Sequence, residues 1–94
     1  MEHNQTFDVS SEIVVITGAA GQLGQQYVKA FLDAGSRVVG LDVARTQTVK
    51  DVSERWPNTF SFCVGDVTSK SSLQDALASI VEIFGVPTVL VNNA

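Results

Sequence analysis

Glycines at positions 18, 21 and 24 follow the apolar run Ile13-Val14-Val15-Ile16 and open an amphipathic stretch, and these are the residues best suited to chemistry in this chain. They read as a strand, a tight turn and the start of a helix. Each glycine then has its own work. One lets the chain turn sharply off the strand, one lets backbone approach a bound pyrophosphate, and one lets the helix pack closely on the sheet. A diphosphate would lie over the unpaired N–H groups at the positive end of that helix. The same glycines also fit a purely structural turn, because turns use glycine wherever positive φ is needed. The context favours a ligand: a strand before, a helix after, and Asp42 at about the distance the dinucleotide fingerprint requires.

Asp42 closes the run Val38-Val39-Gly40-Leu41, where its carboxylate can accept hydrogen bonds from the hydroxyls of an adenosine ribose. It would repel a 2′-phosphate at the same place by ~1–4 kcal/mol, which predicts NAD over NADP. Arg45 is the nearby cation that could blunt the preference. Asp66-Val67 offers a carboxylate for the adenine amine and an apolar side chain for the ring, although Asp66 serves equally well as a turn residue. Asn92 and Asn93 bring amides that both donate and accept to the same end of the sheet, and asparagines there also satisfy loop backbone. Cys63 lies in an apolar run and reads as a small buried hydrophobe, and Tyr27 reads as a core residue of the first helix.

The elements that must hold these groups follow in order. Ile13–Ile16 is continuously apolar, as expected of a parallel strand covered on both faces. Leu23, Tyr27, Val28, Phe31 and Leu32 form the apolar stripe of the first helix, with Gln25, Gln26, Lys29 and Asp33 on its other side, and Gly35 ends it. The second strand runs to Asp42. A helix over about 46–56 carries Val49, Val52 and Trp56, and Pro57 marks its exit. Phe60–Val64 is the third strand. Hydroxyls at Thr68, Ser69, Ser71 and Ser72 cap a third helix whose apolar face holds Leu73, Ala76, Leu77, Ile80, Val81 and Phe84. Residues 88–91 form a fourth strand. Such alternation predicts an α/β, doubly wound parallel sheet of Rossmann type with strand order 3-2-1-4, and a ligand crevice where the order reverses.

Composition narrows the classes. The chain has 94 residues, 45% hydrophobic and 17% charged, enough apolar material to bury a core. A net charge of -4 with no basic stripe argues against nucleic acid as partner. One cysteine excludes an internal disulfide and fits a reducing, cytoplasmic setting. Residues 1–10, polar and carrying His3, read as a flexible tail rather than a secretory signal, and no stretch is long enough to span a bilayer. Residues 11–94 read as one domain, expected to be the N-terminal part of a larger one, because an apolar fourth strand would otherwise leave an open sheet edge.

Thr17-Gly18-Ala19-Ala20-Gly21-Gln22-Leu23-Gly24, Asp42, Asp66-Val67 and Leu90-Val91-Asn92-Asn93-Ala94 together resemble the cofactor-binding half of the short-chain dehydrogenase/reductase family. The resemblance covers essentially everything after residue 11. It implies that Gly18, Gly21, Gln22, Leu23 and Gly24 hold the NAD pyrophosphate, Asp42 the adenosine ribose, Asp66 and Val67 the adenine, and Asn93 the ribose side of the cofactor. Asn92 would tie the central strands. It further implies an oxidoreductase acting on a small alcohol or carbonyl substrate and commonly assembled as a dimer or tetramer. That reaction uses a serine and a Tyr-x-x-x-Lys pair, whereas the residue four after Tyr27 is Phe31, so these groups are expected beyond Ala94. Two alternatives stand beside it. One is a dinucleotide-sensing module without catalysis; the other, from the position of Gly21, is a sugar-nucleotide epimerase or dehydratase.

Overall fold

The computed structural model describes residues 12–93, so the expectations for residues 1–10, His3 and Ala94 lie outside the described residues. Strands and helices alternate as β1 (Ile13–Thr17), α1 (Gln22–Asp33), β2 (Arg37–Asp42), α2 (Gln47–Arg55), β3 (Phe60–Val64), α3 (Lys70–Ile83) and β4 (Val89–Val91). All pairings are parallel, and the strands lie in the order β3-β2-β1-β4. The doubly wound sheet expected from the sequence is therefore present. Among the described residues no helix is long and apolar enough to cross a membrane.

Alternation along the strands sorts the core into two layers. Val14, Ile16, Val38, Phe60 and Phe62 face one side, where they pack with Val28 and Leu32 of α1 and Val49 and Val52 of α2. Val15 and Val39 face the other, against Ile80 of α3. Every residue of β1 is buried, as its unbroken apolar run requires. β4 is less covered, and Leu90 remains 66% exposed.

Helix ends follow local chemistry. Thr46 Oγ1 accepts the Val49 N–H at 3.3 Å and opens α2, and Ser69 Oγ accepts the Ser72 N–H at 3.3 Å and opens α3. At the end of α1, Gly35 adopts φ +93°, its N–H donates to the Leu32 carbonyl, and the Ser36 N–H donates to the Phe31 carbonyl. That pair of bonds is a Schellman turn, and the left-handed residue it needs is the glycine.

Three sequence expectations are corrected. On α1 the buried positions are Gly24, Gln25, Val28 and Leu32, while Leu23 and Tyr27 are exposed. The cause is the close seat of Gly24 on the turn, which brings the arc through 24, 25, 28 and 32 onto the sheet. Positions 23 and 27, one turn apart on the flank, are swung outward. On α3 only Ala76 and Ile80 are buried, and Leu77 and Val81 stand largely open. Cys63 is half-buried rather than enclosed, and burial still raises its thiol pKa, with Arg45 opposing.

Candidate functional site

Parallel pairing delivers three strand tips to one end of the sheet. β1 pairs with β2 through Thr17 and Leu41 and with β4 through Ile16 and Val91, so the turn after β1, Asp42 and Asn92-Asn93 emerge together. Strand order reverses between β1 and β4, which makes this end the topological switch point.

The three glycines of the turn meet different demands. Gly18 has φ +66°, and a Cβ there would come within 3.1 Å of the Asn93 carbonyl oxygen. A Cβ on Gly24 would collide with the Gly18 carbonyl oxygen and lie 2.9 Å from the Ala19 Cα. The fold itself therefore requires both. Gly21 differs: its φ of -79° and ψ of 172° are ordinary extended backbone, and a Cβ would meet only the Gly18 carbonyl oxygen, at 3.6 Å. Neither conformation nor internal packing calls for glycine at that position.

Gly21 is also the N-cap of α1, and no side chain caps it. The first turn of α1 carries no acid either, so its free amides and the positive end of the dipole face the mouth uncompensated. Gln22 and Leu23, the first two residues of the helix, are exposed there. By contrast, α2 and α3 are closed by their own hydroxyls.

Asp42 points into this mouth. Its Oδ2 accepts the Ala20 N–H at 2.9 Å and its Oδ1 accepts the Val43 N–H at 2.8 Å. The Ala19 N–H donates to the Leu41 carbonyl at 3.4 Å, which holds the turn against β2 as well. Arg45 lies across β3 instead: its Nη2 is 3.5 Å from the Phe62 carbonyl oxygen and its guanidinium carbon is 5.0 Å from the Phe62 ring centroid.

From the other side, Asn93 closes the crevice. Its N–H donates to Thr17 Oγ1 at 3.0 Å and its Nδ2 donates to the Gly18 carbonyl at 3.3 Å, while Thr17 Oγ1 donates to Asn92 Oδ1 at 3.1 Å. Both asparagines thus tie β4 to β1, not Asn92 alone.

Asp66 follows β3 at the edge of the same end, where the Gly65 N–H donates to the Asp42 carbonyl at 2.9 Å. Its Oδ1 accepts the Thr68 hydroxyl at 2.6 Å and the Thr68 N–H at 2.9 Å. Those bonds, the hydroxyl first, hold the carboxyl below its ordinary range. The turn role is therefore filled, and Val67 beside it is 37% exposed and free to meet a ring.

Two participants escaped the sequence reading. Thr17 is the hydroxyl at the centre of the β1–β4 tie, signalled only by a threonine ending an apolar strand. Gln25 is buried beneath the turn, where its Nε2 donates to the Ala19 carbonyl at 2.6 Å. Its spacing with Val28 and Leu32 was the available signal.

Known proteins bear on this arrangement. Residues 12–94 match the family model described as short chain dehydrogenase. L-fucose dehydrogenase of Rattus norvegicus is 35% identical over 85 residues, covering 90% of this chain and 31% of that protein. NAD-dependent glycerol dehydrogenase of Listeria innocua is 28% identical, over 97% of this chain and 35% of that protein. The NADPH-bound structure of a short chain oxidoreductase from Pseudomonas aeruginosa superposes with a TM-score of 0.85 at 24% identity, over 94% of this chain and 36% of that one, and at that identity it bears on the fold alone. The chain spans about a third of the length of the curated relatives it matches.

Proposed function

The chain belongs to the short chain dehydrogenase family, and from that premise we propose that it is the dinucleotide-holding part of an oxidoreductase acting on a small alcohol or carbonyl compound, with NAD as the preferred cofactor. The bound nicotinamide would supply or take the hydride. The chain's own residues bind and orient. Gly18, Gly21, Gln22, Leu23 and Gly24 form the diphosphate seat, Asp42 receives the adenosine ribose hydroxyls, Asp66 and Val67 border the adenine, and Asn93 lies toward the second ribose.

The observation that carries this reading is Gly21. A glycine that neither φ nor packing demands stands at the uncapped start of α1, and the absence of a side chain there leaves room for a ligand to approach the backbone. A diphosphate has the charge and acceptor oxygens that the free amides there would bond.

Preference for NAD is supported by Asp42, whose carboxylate at the end of β2 would repel a 2′-phosphate on a ribose bound there, and by Arg45, engaged with Phe62. The Listeria relative is NAD-dependent, which agrees with this preference. The proton-moving serine and Tyr-x-x-x-Lys of the family would come from outside residues 12–93, since Phe31 stands four after Tyr27.

Calorimetric titration of the protein with NAD+ and NADP+ tests the reading. Saturable binding with NAD+ tighter is expected; no binding of either dinucleotide overturns it.

A further inference from the structure

We propose that Gln25 is a positioning residue that fixes the Ala19–Ala20 peptide, so that the chain enters α1, whose free amides begin at Gln22, in one geometry before any ligand arrives. The inference rests on the cofactor reading above for what the amides meet, but its structural half stands by itself.

The Ala19 carbonyl and the Ala20 N–H belong to one peptide plane. Gln25 Nε2 holds the oxygen at 2.6 Å, and Asp42 Oδ2 holds the N–H at 2.9 Å from the opposite side. A peptide plane in a turn can flip, exchanging its N–H and its carbonyl in space; here the flip would rotate ψ of Ala19 and φ of Ala20, so their Cβ atoms oppose it as well. Here a flip would break both bonds and present two acceptors, Ala19 O and Asp42 Oδ2, to each other. The plane is thus clamped at both ends, one clamp from α1 and one from β2.

Gln25 is a poor choice for stability alone. It is 5% exposed, and its Oε1 is buried with no hydrogen-bond donor among the described residues. An unsatisfied buried acceptor costs free energy that an apolar side chain of like size would avoid. What the glutamine supplies in return is the Nε2–Ala19 bond, which also satisfies a buried carbonyl. Gln25 further lines an open groove that runs from Ala20, Gly21 and Gln22 along α1 to Lys29 and to Thr48 of α2, so the clamp borders the residues of the proposed diphosphate seat.

Gln25→Met keeps the length and packing of the side chain and removes the donor. Amide hydrogen exchange without ligand is the first readout: Ala20 and Gly21 should exchange faster in the variant while the β1 and β2 amides do not change. The second readout compares ADP, NAD+ and adenosine. The variant should bind ADP and NAD+ about tenfold more weakly, as for the loss of one net hydrogen bond, with adenosine affinity unchanged, because adenosine has no diphosphate to meet the turn. Equal losses for adenosine and ADP, or unchanged exchange at Ala20, would overturn the proposal. In the unmodified protein the Ala20 amide should exchange as slowly as the strand amides, and fast exchange there sinks the clamp whether or not the variant folds. If the unmodified protein binds neither ADP nor NAD+, the cofactor reading fails, and the exchange data decide the clamp alone.

Discussion

Asp42 and Ala20 are joined across the mouth of the site: the last residue of β2 reaches over, and its Oδ2 accepts the Ala20 N–H at 2.9 Å. The bond binds two strand-to-helix connections together and leaves a carboxylate at the rim. Asp42→Asn removes the charge and keeps one acceptor, for Ala20, while its amide nitrogen takes the place of the oxygen that accepts from Val43. The repulsion of a 2′-phosphate, ~1–4 kcal/mol, should go with it. The ratio of NADP+ to NAD+ dissociation constants should therefore fall by about fivefold or more. A ratio unchanged by the substitution would show that Asp42 does not choose the cofactor.

Gly21→Ala and Gly24→Ala separate the demands of the fold from those of a ligand. Alanine at 24 gains ~1 kcal/mol of helix propensity but drives its Cβ into the Gly18 carbonyl, which backbone movement must relieve. A net loss of about 1–3 kcal/mol is expected in thermal or urea unfolding. Alanine at 21 meets only an ordinary contact at 3.6 Å, and its poorer N-cap preference is offset by the unfolded-chain entropy it removes, so stability should change by no more than about 1 kcal/mol. Dinucleotide affinity should nevertheless drop for Gly21→Ala. Normal binding by that variant would remove the main support for the diphosphate seat.

Much of this was legible in the sequence because each feature has a local cause. Ile13–Ile16 read as a covered strand, the hydroxyls at 68, 69, 71 and 72 could cap α3, and the alternation of elements pointed to a parallel sheet whose order reverses between β1 and β4. The site was legible as far as its backbone glycines and strand-end polar groups. What escaped depends on distance. Leu23 and Gln25 exchanged places between surface and interior because α1 seats Gly24 against Gly18; the spacing of Gln25 with Val28 and Leu32 allowed its burial, but the hydrophobicity pattern of the helix favoured Leu23. Thr17 is similar: its partners Asn92 and Asn93 are brought to it only by the pairing of β1 with β4.

Asp66 yields a prediction in pH. The Thr68 hydroxyl and then the Thr68 N–H hold its carboxyl below the ordinary range. A depressed carboxyl contributes stability above its unfolded pKa, about 3.9, and that contribution disappears as pH falls through the lower folded value. Thr68→Val removes the hydroxyl and leaves the amide, so the Asp66 midpoint followed by NMR should move up part of the way toward the ordinary value. A midpoint that stays where it was would mean the hydroxyl bond is not formed in solution.

Thr17 is the last test, because it links the stability of the sheet to the shape of the mouth. Its buried hydroxyl donates to Asn92 Oδ1 at 3.1 Å and accepts the Asn93 N–H at 3.0 Å, and Asn93 in turn holds the Gly18 carbonyl at 3.3 Å. Thr17→Val preserves shape and strand propensity while leaving the Asn93 N–H without this acceptor. The cost should be about 1–3 kcal/mol in unfolding, with faster exchange at the Asn93 amide. Thr17→Ser retains the hydroxyl and should recover most of that loss. If valine proves as stable as threonine while serine does not, the methyl and not the hydroxyl holds β1 to β4, and the tie between these tips is one of packing.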